Sequence, residues 1–298
     1  MSSRNGNVYI SGRTINPMTV RSLNLCLLRA PRTGFSFGYN PVAIEGSAAN
    51  RSGFDARMDF GILRLRRGES FCTTTTKECL WVLLKGRCRV TVAGKSDRIS
   101  RESLFEEGPF ALHAGAGETV EISAETVAEW TVTRTANARR IGARLYRNDE
   151  VATEDRGAGL AQGACRRLVR TLFDYASRPD SNLVAGEVVN CPGRWSTYPP
   201  HHHPQPEIYH YRFTRPQGYG HSEVGENVYK VRNGDTIKIP GGLDHSQVSA
   251  PGYGMYYLWV IRHLPGRPYK GFEFTPAHQW LLDPKNQGWT PRLAAASA

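Results

Sequence analysis

The sequence predicts an all-β protein arranged as two tandem β-barrels, each a double-stranded β-helix, and three observations carry that expectation. Glycine and proline are abundant, 30 and 18 of 298 residues, and the apolar runs between them are short. That pattern suits many short strands joined by turns rather than a helical bundle. The length accommodates two domains of about 130 to 150 residues, each able to bury its own core. The third observation is an asymmetry: one histidine, His113, precedes residue 201, whereas the second half holds a dense histidine segment and a distant partner for it. The expected domains are 1–140, a barrel without a metal site, and 141–298, a metal-binding barrel, joined by a linker over about 137–157.

Residues 1 to about 30 read as irregular. From about 54 to 135, β-forming segments alternate with turn signals: 60–65, 80–84, 87–92, 119–122 and 130–132 are separated by Arg67-Gly68, Lys85-Gly86, Gly94-Lys95 and Gly115-Ala116-Gly117. Cys79 and Cys88 flank a hairpin-like segment. After the linker, 183–189, 207–213, 228–231, 236–239 and 255–261 read as strands of the second barrel. Residues 160–175 fit either a short helix or an arginine-rich connector. The tail 288–298 is small and polar and is expected to fray.

The chemistry lies in two segments. The first, His201-His202-His203-Pro204-Gln205-Pro206-Glu207, has the spacing H-x-H-x3-E. The second runs from Gly234 through Pro240-Gly241-Gly242-Leu243-Asp244 to His245, with the spacing G-x5-P-x-G-x2-H. Side chains alternate along an extended chain, so His201 and His203 share one face and His202 takes the other. Along Glu207-Ile208-Tyr209-His210-Tyr211-Arg212-Phe213, Glu207 shares its face with Tyr209, Tyr211 and Phe213. Imidazoles with one carboxylate suit a divalent ion and leave positions open for a substrate. His201, His203, Glu207 and His245 are the candidate metal ligands; His202, His210 and the isolated His113 are read as non-ligands. A histidine run can also be a solvated tract that binds metal adventitiously. Glu207 and the separate segment around His245 weigh against that alternative.

These spacings are the two halves of the cupin metal motif, so the double barrel is read as a bicupin. Residues from about 155 to 284 also resemble the 5-deoxyglucuronate isomerase family of bacterial inositol catabolism. The resemblance rests on Asp155-Arg156-Gly157-Ala158-Gly159, Gly193-Arg194-Trp195-Ser196-Thr197-Tyr198-Pro199-Pro200-His201, the 207–213 strand and Pro216-Gln217-Gly218-Tyr219-Gly220. It continues through Ala250-Pro251-Gly252-Tyr253-Gly254-Met255-Tyr256-Tyr257-Leu258 and Pro276-Ala277-His278-Gln279-Trp280-Leu281. His210 stands where the family carries another tyrosine.

The resemblance implies an aldose–ketose isomerase that converts 5-deoxy-glucuronate to 5-dehydro-2-deoxy-gluconate, and a homo-oligomer. The cofactor is read as a divalent metal ion, Zn or Mn first, with Fe, Ni or Co as alternatives. Tyr209 and Tyr211, facing inward, are candidate catalytic proton carriers, although filling the barrel with aromatic bulk explains them equally. Tyr198 and Gln217 are candidate substrate contacts. A substrate carboxylate needs a cation; Arg194, Arg212, Arg215 and Lys238 are unranked candidates, with Arg212 facing away by alternation. The same ligands also fit an isomerase of a related uronate (5-keto-4-deoxyuronate type), a cupin oxygenase, or a sugar-binding bicupin without activity.

Composition narrows the partners. The net charge of +11 comes from arginines spread along the chain, with no nucleic-acid motif beside them. A diffuse positive field attracts a small acidic sugar, and surface solubility accounts for it equally well. No apolar run approaches the roughly 20 residues needed to cross a bilayer. The first seven residues lack the apolar core of a secretion signal, so a cytoplasmic address is expected. The six cysteines contain no C-x-x-C pair and are expected to be reduced and mostly packed as small hydrophobes.

Overall fold

The computed structural model describes residues 26–47, 54–286 and 288–291. The expectations for residues 1–25 and for the end of the tail, 292–298, lie outside the described residues. The fold is mostly β, in three antiparallel sheets of nine, seven and five strands. Described strands between residues 38 and 146 form the nine-stranded sheet; those between 154 and 274 form the other two.

Strand Glu78–Val92 shows how sequence pattern turns into packing. Its first seven residues are buried on both faces, and from Lys85 onward exposed and buried residues alternate. The apolar run Cys79–Leu84 is continuous because each face meets a different core. Cys79, Trp81 and Leu83 point into a cluster with Leu63, Trp130 and Val132 inside the first half. Leu80, Val82 and Leu84 join a second cluster with Leu183, Ala185, Ile208, Leu258 and Val260 of the second half. A third cluster, with Val188, Tyr209, Tyr211, Ile237 and Tyr257, fills the second half. Cys79 and Cys88 lie on this single strand; no hairpin separates them.

Polar contacts cross between the halves where the apolar packing ends. Arg101 and Glu187 are fully buried and meet through two parallel bonds of 2.6 and 2.8 Å. The Tyr256 hydroxyl donates to the same carboxylate at 2.7 Å. Glu78, also fully buried, accepts from the Ser181 hydroxyl at 2.6 Å and from the Asn182 amide at 2.9 Å, and lies 2.8 Å from His113 Nε2. His113 stacks on Phe173, ring centroids 4.5 Å apart, so the first half's histidine sits in a structural junction.

Three boundaries differ from the sequence reading. Residues 160–175 form neither a helix nor a loose connector: a single 3₁₀ turn at Ala161–Gly163 leads into strand Arg167–Phe173. The arginines there read as polar, but Val169, Arg170, Leu172 and Phe173 are all buried on that strand. Arg144–Tyr146 pairs with Ala111–His113, so the first sheet extends past residue 140. Leu27–Leu28 pairs with Thr236–Ile237, which places this early segment on the second half's sheet. Among the described residues, no helix is long and apolar enough to cross a membrane.

Candidate metal centre

The site forms where the seven- and five-stranded sheets face each other. Strand Glu207–Phe213 runs in the seven-stranded sheet between Thr236–Ile239 and Met255–Arg262. Tyr209, Tyr211 and Phe213 project into the second half's cluster. The alternate residues turn toward the first half: Ile208 enters the cluster between halves, His210 packs 5.4 Å from the Phe60 ring, and Arg212 pairs with Glu129. Opposite them, strand Trp195–His202 pairs with His245–Ser249 so that His201 faces His245 across the ladder.

Two glycines bring the segments together. Gly242, at φ +83°, donates its amide to the His203 carbonyl at 2.8 Å. A Cβ on Gly241 would lie 1.9 Å from the Pro204 carbonyl oxygen, so only glycine lets the turn before His245 approach the loop that carries His203.

His203, Glu207 and His245 converge: one ligand atom from each lies within 4.8 Å of the others, and all three are buried. Glu207 Oε2 is 3.3 Å from His203 Nε2 and 3.4 Å from His245 Nε2. Burial alone would raise the Glu207 carboxyl, but hydrogen bonding to His203 and His245 and their charges outweigh it and hold it down at about 2. His245 Nδ1 lies 3.0 Å from the Leu243 carbonyl oxygen. That acceptor requires a proton on Nδ1 and turns Nε2 toward Glu207, the nitrogen that would bind a metal once it carries no proton. His245 Nε2 and His203 Nδ1 are buried without hydrogen-bond partners. An anionic carboxylate with two imidazole Nε2 atoms converging on it is a donor set that fits a divalent ion.

His201 stands at the edge of this group. Its ring centroid is 4.6 Å from that of His245 and 6.4 Å from that of His203, and it stacks on Phe272 at 4.1 Å. Burial, then His245, push it down to about 2, so it is neutral. His202 turns outward, with Nδ1 2.7 Å from Asp244 and a third of its side chain exposed.

The cluster adjoins a cavity of about 220 Å³, room for one small ligand. Tyr198 and Tyr209 line it. Tyr209 stacks on Tyr257 at 4.7 Å, and burial, then the charge of Glu207, push its phenol well above the usual range. Tyr211 does not line the cavity; its hydroxyl donates to Gln247 at 2.6 Å, deep between the sheets. Gln217 is exposed on the turn after its strand, also off the cavity. Arg194, Arg212, Arg215 and Lys238 are not lining residues either. Arg194 and Arg215 are exposed, Arg212 is tied to Glu129, and Lys238 alternates away from Ile237 and Ile239 of the interior cluster.

Sequence reasoning missed several wall residues. Arg156 and Arg167 are the cavity's two cations. Tyr269 packs edge-on against His203 at 4.9 Å, and Phe272 and Phe274 close one side. Their signal was present as aromatic spacing in Tyr269-Lys270-Gly271-Phe272-Glu273-Phe274, downstream of the motif that drew the eye.

Comparison with known proteins agrees with this architecture. The family model of the KduI/IolB family matches residues 43–281. A 5-deoxy-glucuronate isomerase of Geobacillus kaustophilus is 31% identical over 247 residues, covering 76% of this chain and 87% of that protein. The enzyme of the same name from Bacillus subtilis strain 168 is 27% identical over 253 residues, with 76% and 88% covered. The crystal structure of an IolB-like protein from Salmonella typhimurium LT2 superposes with a TM-score of 0.74 at 24% identity, over 86% of this chain and 99% of that one. An oxalate decarboxylase of Lactobacillus farciminis superposes at 0.58 with 15% identity, over 80% and 85%, a likeness of fold. With its cupin-like fold and a family match over most of its length, the chain belongs to the KduI/IolB family and is an isomerase.

Proposed function

We propose that the protein is a metal-dependent aldose–ketose isomerase that converts 5-deoxy-glucuronate to 5-dehydro-2-deoxy-gluconate. The observation that carries this reading is the convergence of His203, Glu207 and His245 beside a cavity whose cations are arginines. The 5-deoxy-glucuronate isomerase activity of the relatives supplies the substrate. The two halves, expected at 1–140 and 141–298 with the first sheet reaching Tyr146, are read as two cupin barrels, the first without a metal and the second with one.

His203, Glu207 and His245 would hold the ion, with His201 as fourth candidate. Bound there, a divalent ion supplies Lewis-acid polarisation of the substrate's carbonyl and neighbouring hydroxyl oxygens, worth several kcal/mol. The reaction moves one proton from C2 to C1 of the aldose and one from the C2 hydroxyl to the C1 oxygen, while the carbonyl shifts from C1 to C2. Glu207, committed to the ion and anionic at neutral pH, is a poor shuttle for these protons. Tyr209 keeps its phenolic proton, because burial and Glu207 both oppose its loss. It therefore serves as a hydrogen-bond donor to a substrate oxygen rather than as a base. Tyr198 and Tyr269 add two further hydroxyl-bearing walls, and Phe272 with Phe274 keeps water from the reacting carbons. Tyr211 and Gln217 are left in structural roles.

The test joins elemental analysis of the purified protein to an anaerobic assay with 5-deoxy-glucuronate. Turnover without oxygen, lost on chelation and restored by one divalent metal, supports the reading. Turnover that persists in metal-free protein overturns metal dependence. Consumption of oxygen with this substrate overturns isomerisation.

A further inference from the structure

The cavity's two arginines are not equivalent. Arg156 is exposed, and its guanidinium is 2.7 Å from Glu154. Arg166, next along the chain, faces outward and meets Asp155 at 2.8 Å. Arg167 turns inward by alternation on strand Arg167–Phe173 and lines the cavity. Its Nη1 donates to the Cys165 carbonyl at 2.9 Å, and among the described residues no carboxylate pairs with it. Burial pushes this guanidinium down from its usual range. It nonetheless stays charged, as arginines do. A half-buried cation without an anion is unfavourable unless something else supplies one.

The local backbone is built around that side chain. Gly157 sits at φ +77°, where a Cβ would fall 2.6 Å from Arg167 Nη1 and 2.2 Å from the Cys165 carbonyl oxygen. The chain can pass this close because residue 157 has no side chain, and the guanidinium is held between it and the Cys165 carbonyl. His201 and Tyr257 line the same cavity as Arg167.

We propose that Arg167 binds the substrate's carboxylate, so that the cavity selects a monocarboxylate sugar and orients it with its far end at Arg167 and its carbonyl end at the histidine cluster. A planar guanidinium with free donors matches a carboxylate through two parallel bonds, which fixes direction as well as charge. In 5-deoxy-glucuronate the carboxylate is C6 and the reacting carbons are C1 and C2, so this grip is remote from the chemistry. It acts on binding of ground and transition states alike, and its loss raises KM rather than lowering kcat. The identity of the substrate rests on the isomerase reading; the assignment of a carboxylate to Arg167 does not.

The experiment compares the metal-loaded wild type with Arg167→Met, Arg167→Lys and the exposed control Arg194→Met. Each is assayed with 5-deoxy-glucuronate and with 5-deoxyglucose, which carries a hydroxymethyl group in place of the carboxylate. The expected result is a KM for the acid raised roughly 100-fold in Arg167→Met with kcat within about threefold. The constants for 5-deoxyglucose stay unchanged, which also shows the variant folded, and Arg167→Lys recovers part of the loss. Equal losses with both sugars, or an unchanged KM for the acid, overturn the proposal. A calorimetric arm titrates glucuronate and glucose into the same proteins. If the wild type turns over no 5-deoxy-glucuronate, yet binds glucuronate and loses it in Arg167→Met, the isomerase reading falls and the carboxylate assignment stands. Glucuronate bound equally by wild type and Arg167→Met, or by neither, overturns the assignment.

Discussion

His245 Nδ1 lies 3.0 Å from the carbonyl oxygen of Leu243, two residues before it, and this one bond sets which nitrogen faces the site. With Nδ1 bonded to that carbonyl, Nε2 is the nitrogen turned toward Glu207, 3.4 Å away. The ring is therefore preset as a ligand by its own turn, which limits the reorganisation on binding.

Replacing His203 or His245 with alanine should reduce stoichiometric metal to trace levels and activity by roughly 10³-fold, the scale of the Lewis-acid contribution. His202→Ala should leave both intact, because His202 is turned to Asp244. His201→Ala should cost less, about 10- to 100-fold in metal affinity, since His201 stands outside the tight group and against Phe272. Elemental analysis with competitive chelator titration checks all four. Metal lost from the His202 variant and kept by the His203 variant would reverse the assignment of faces.

Gly241 and Gly242 should respond differently to alanine. At Gly241 the new methyl would meet the Pro204 carbonyl oxygen at 1.9 Å, so the His203 loop must move. We expect a cost of about 1–3 kcal/mol together with at least tenfold weaker metal binding. Gly242 has open space around its Cβ position and only its φ of +83° to oppose substitution. That variant should lose about 1 kcal/mol and keep its metal. Thermal unfolding of metal-free protein, beside chelator titration, separates the two effects; equal metal loss in both variants counts against the close approach as the cause.

Much of this was legible in the chain because alternation is a local property. The outward turn of His202 and of Arg212, and the inward turn of Tyr209 and Tyr211, follow from a period of two and occur as such. Depth along a strand is not local. Tyr209 and Tyr211 share a face, yet only Tyr209 reaches the cavity, while Tyr211 is claimed by Gln247 from the facing sheet. Arg167 was hidden for a related reason: beside Arg166 it reads as part of a solvated basic pair, and only strand formation sends the two in opposite directions. The early segment Leu27–Leu28 was illegible because its partner, Thr236–Ile237, lies about two hundred residues away and leaves no short-range trace.

The Arg101–Glu187 pair joins the halves in a fully buried setting, with Arg170 Nη1 3.7 Å from the same carboxylate. Arg101→Met leaves Glu187 with less compensation and should cost about 3–5 kcal/mol. Removing both charges, as Arg101→Met with Glu187→Met, should cost clearly less than the sum of the single changes, because no uncompensated acid remains. Denaturant unfolding of the four proteins gives the coupling. Additive losses would mean that the pair stabilises little beyond its packing.

His210 makes the acid limb of stability specific. It is fully buried, with Nδ1 2.9 Å from the Thr236 hydroxyl and its ring between Phe35 and Phe60 of the first half. Burial, then the charge of Arg212, holds it well below the usual histidine range. The unfolded chain has no such constraint and takes up a proton near pH 6.5. Below that pH the unfolded state binds a proton that the folded state refuses, so stability contributed by this group is present above about 6.5 and falls as pH drops. The slope approaches 1.4 kcal/mol per pH unit until the folded ring itself titrates. His210→Gln keeps a hydrogen-bonding side chain for Thr236 and removes the titration. Between pH 7.5 and 5 the wild type should lose about 2 kcal/mol more than the variant, read as the difference between their denaturant midpoints at the two pH values. Buried His113 and His263, both also held low, titrate equally in the two proteins and cancel from that difference. Parallel pH profiles for wild type and variant would show that His210 takes its proton without opening the contact between the halves.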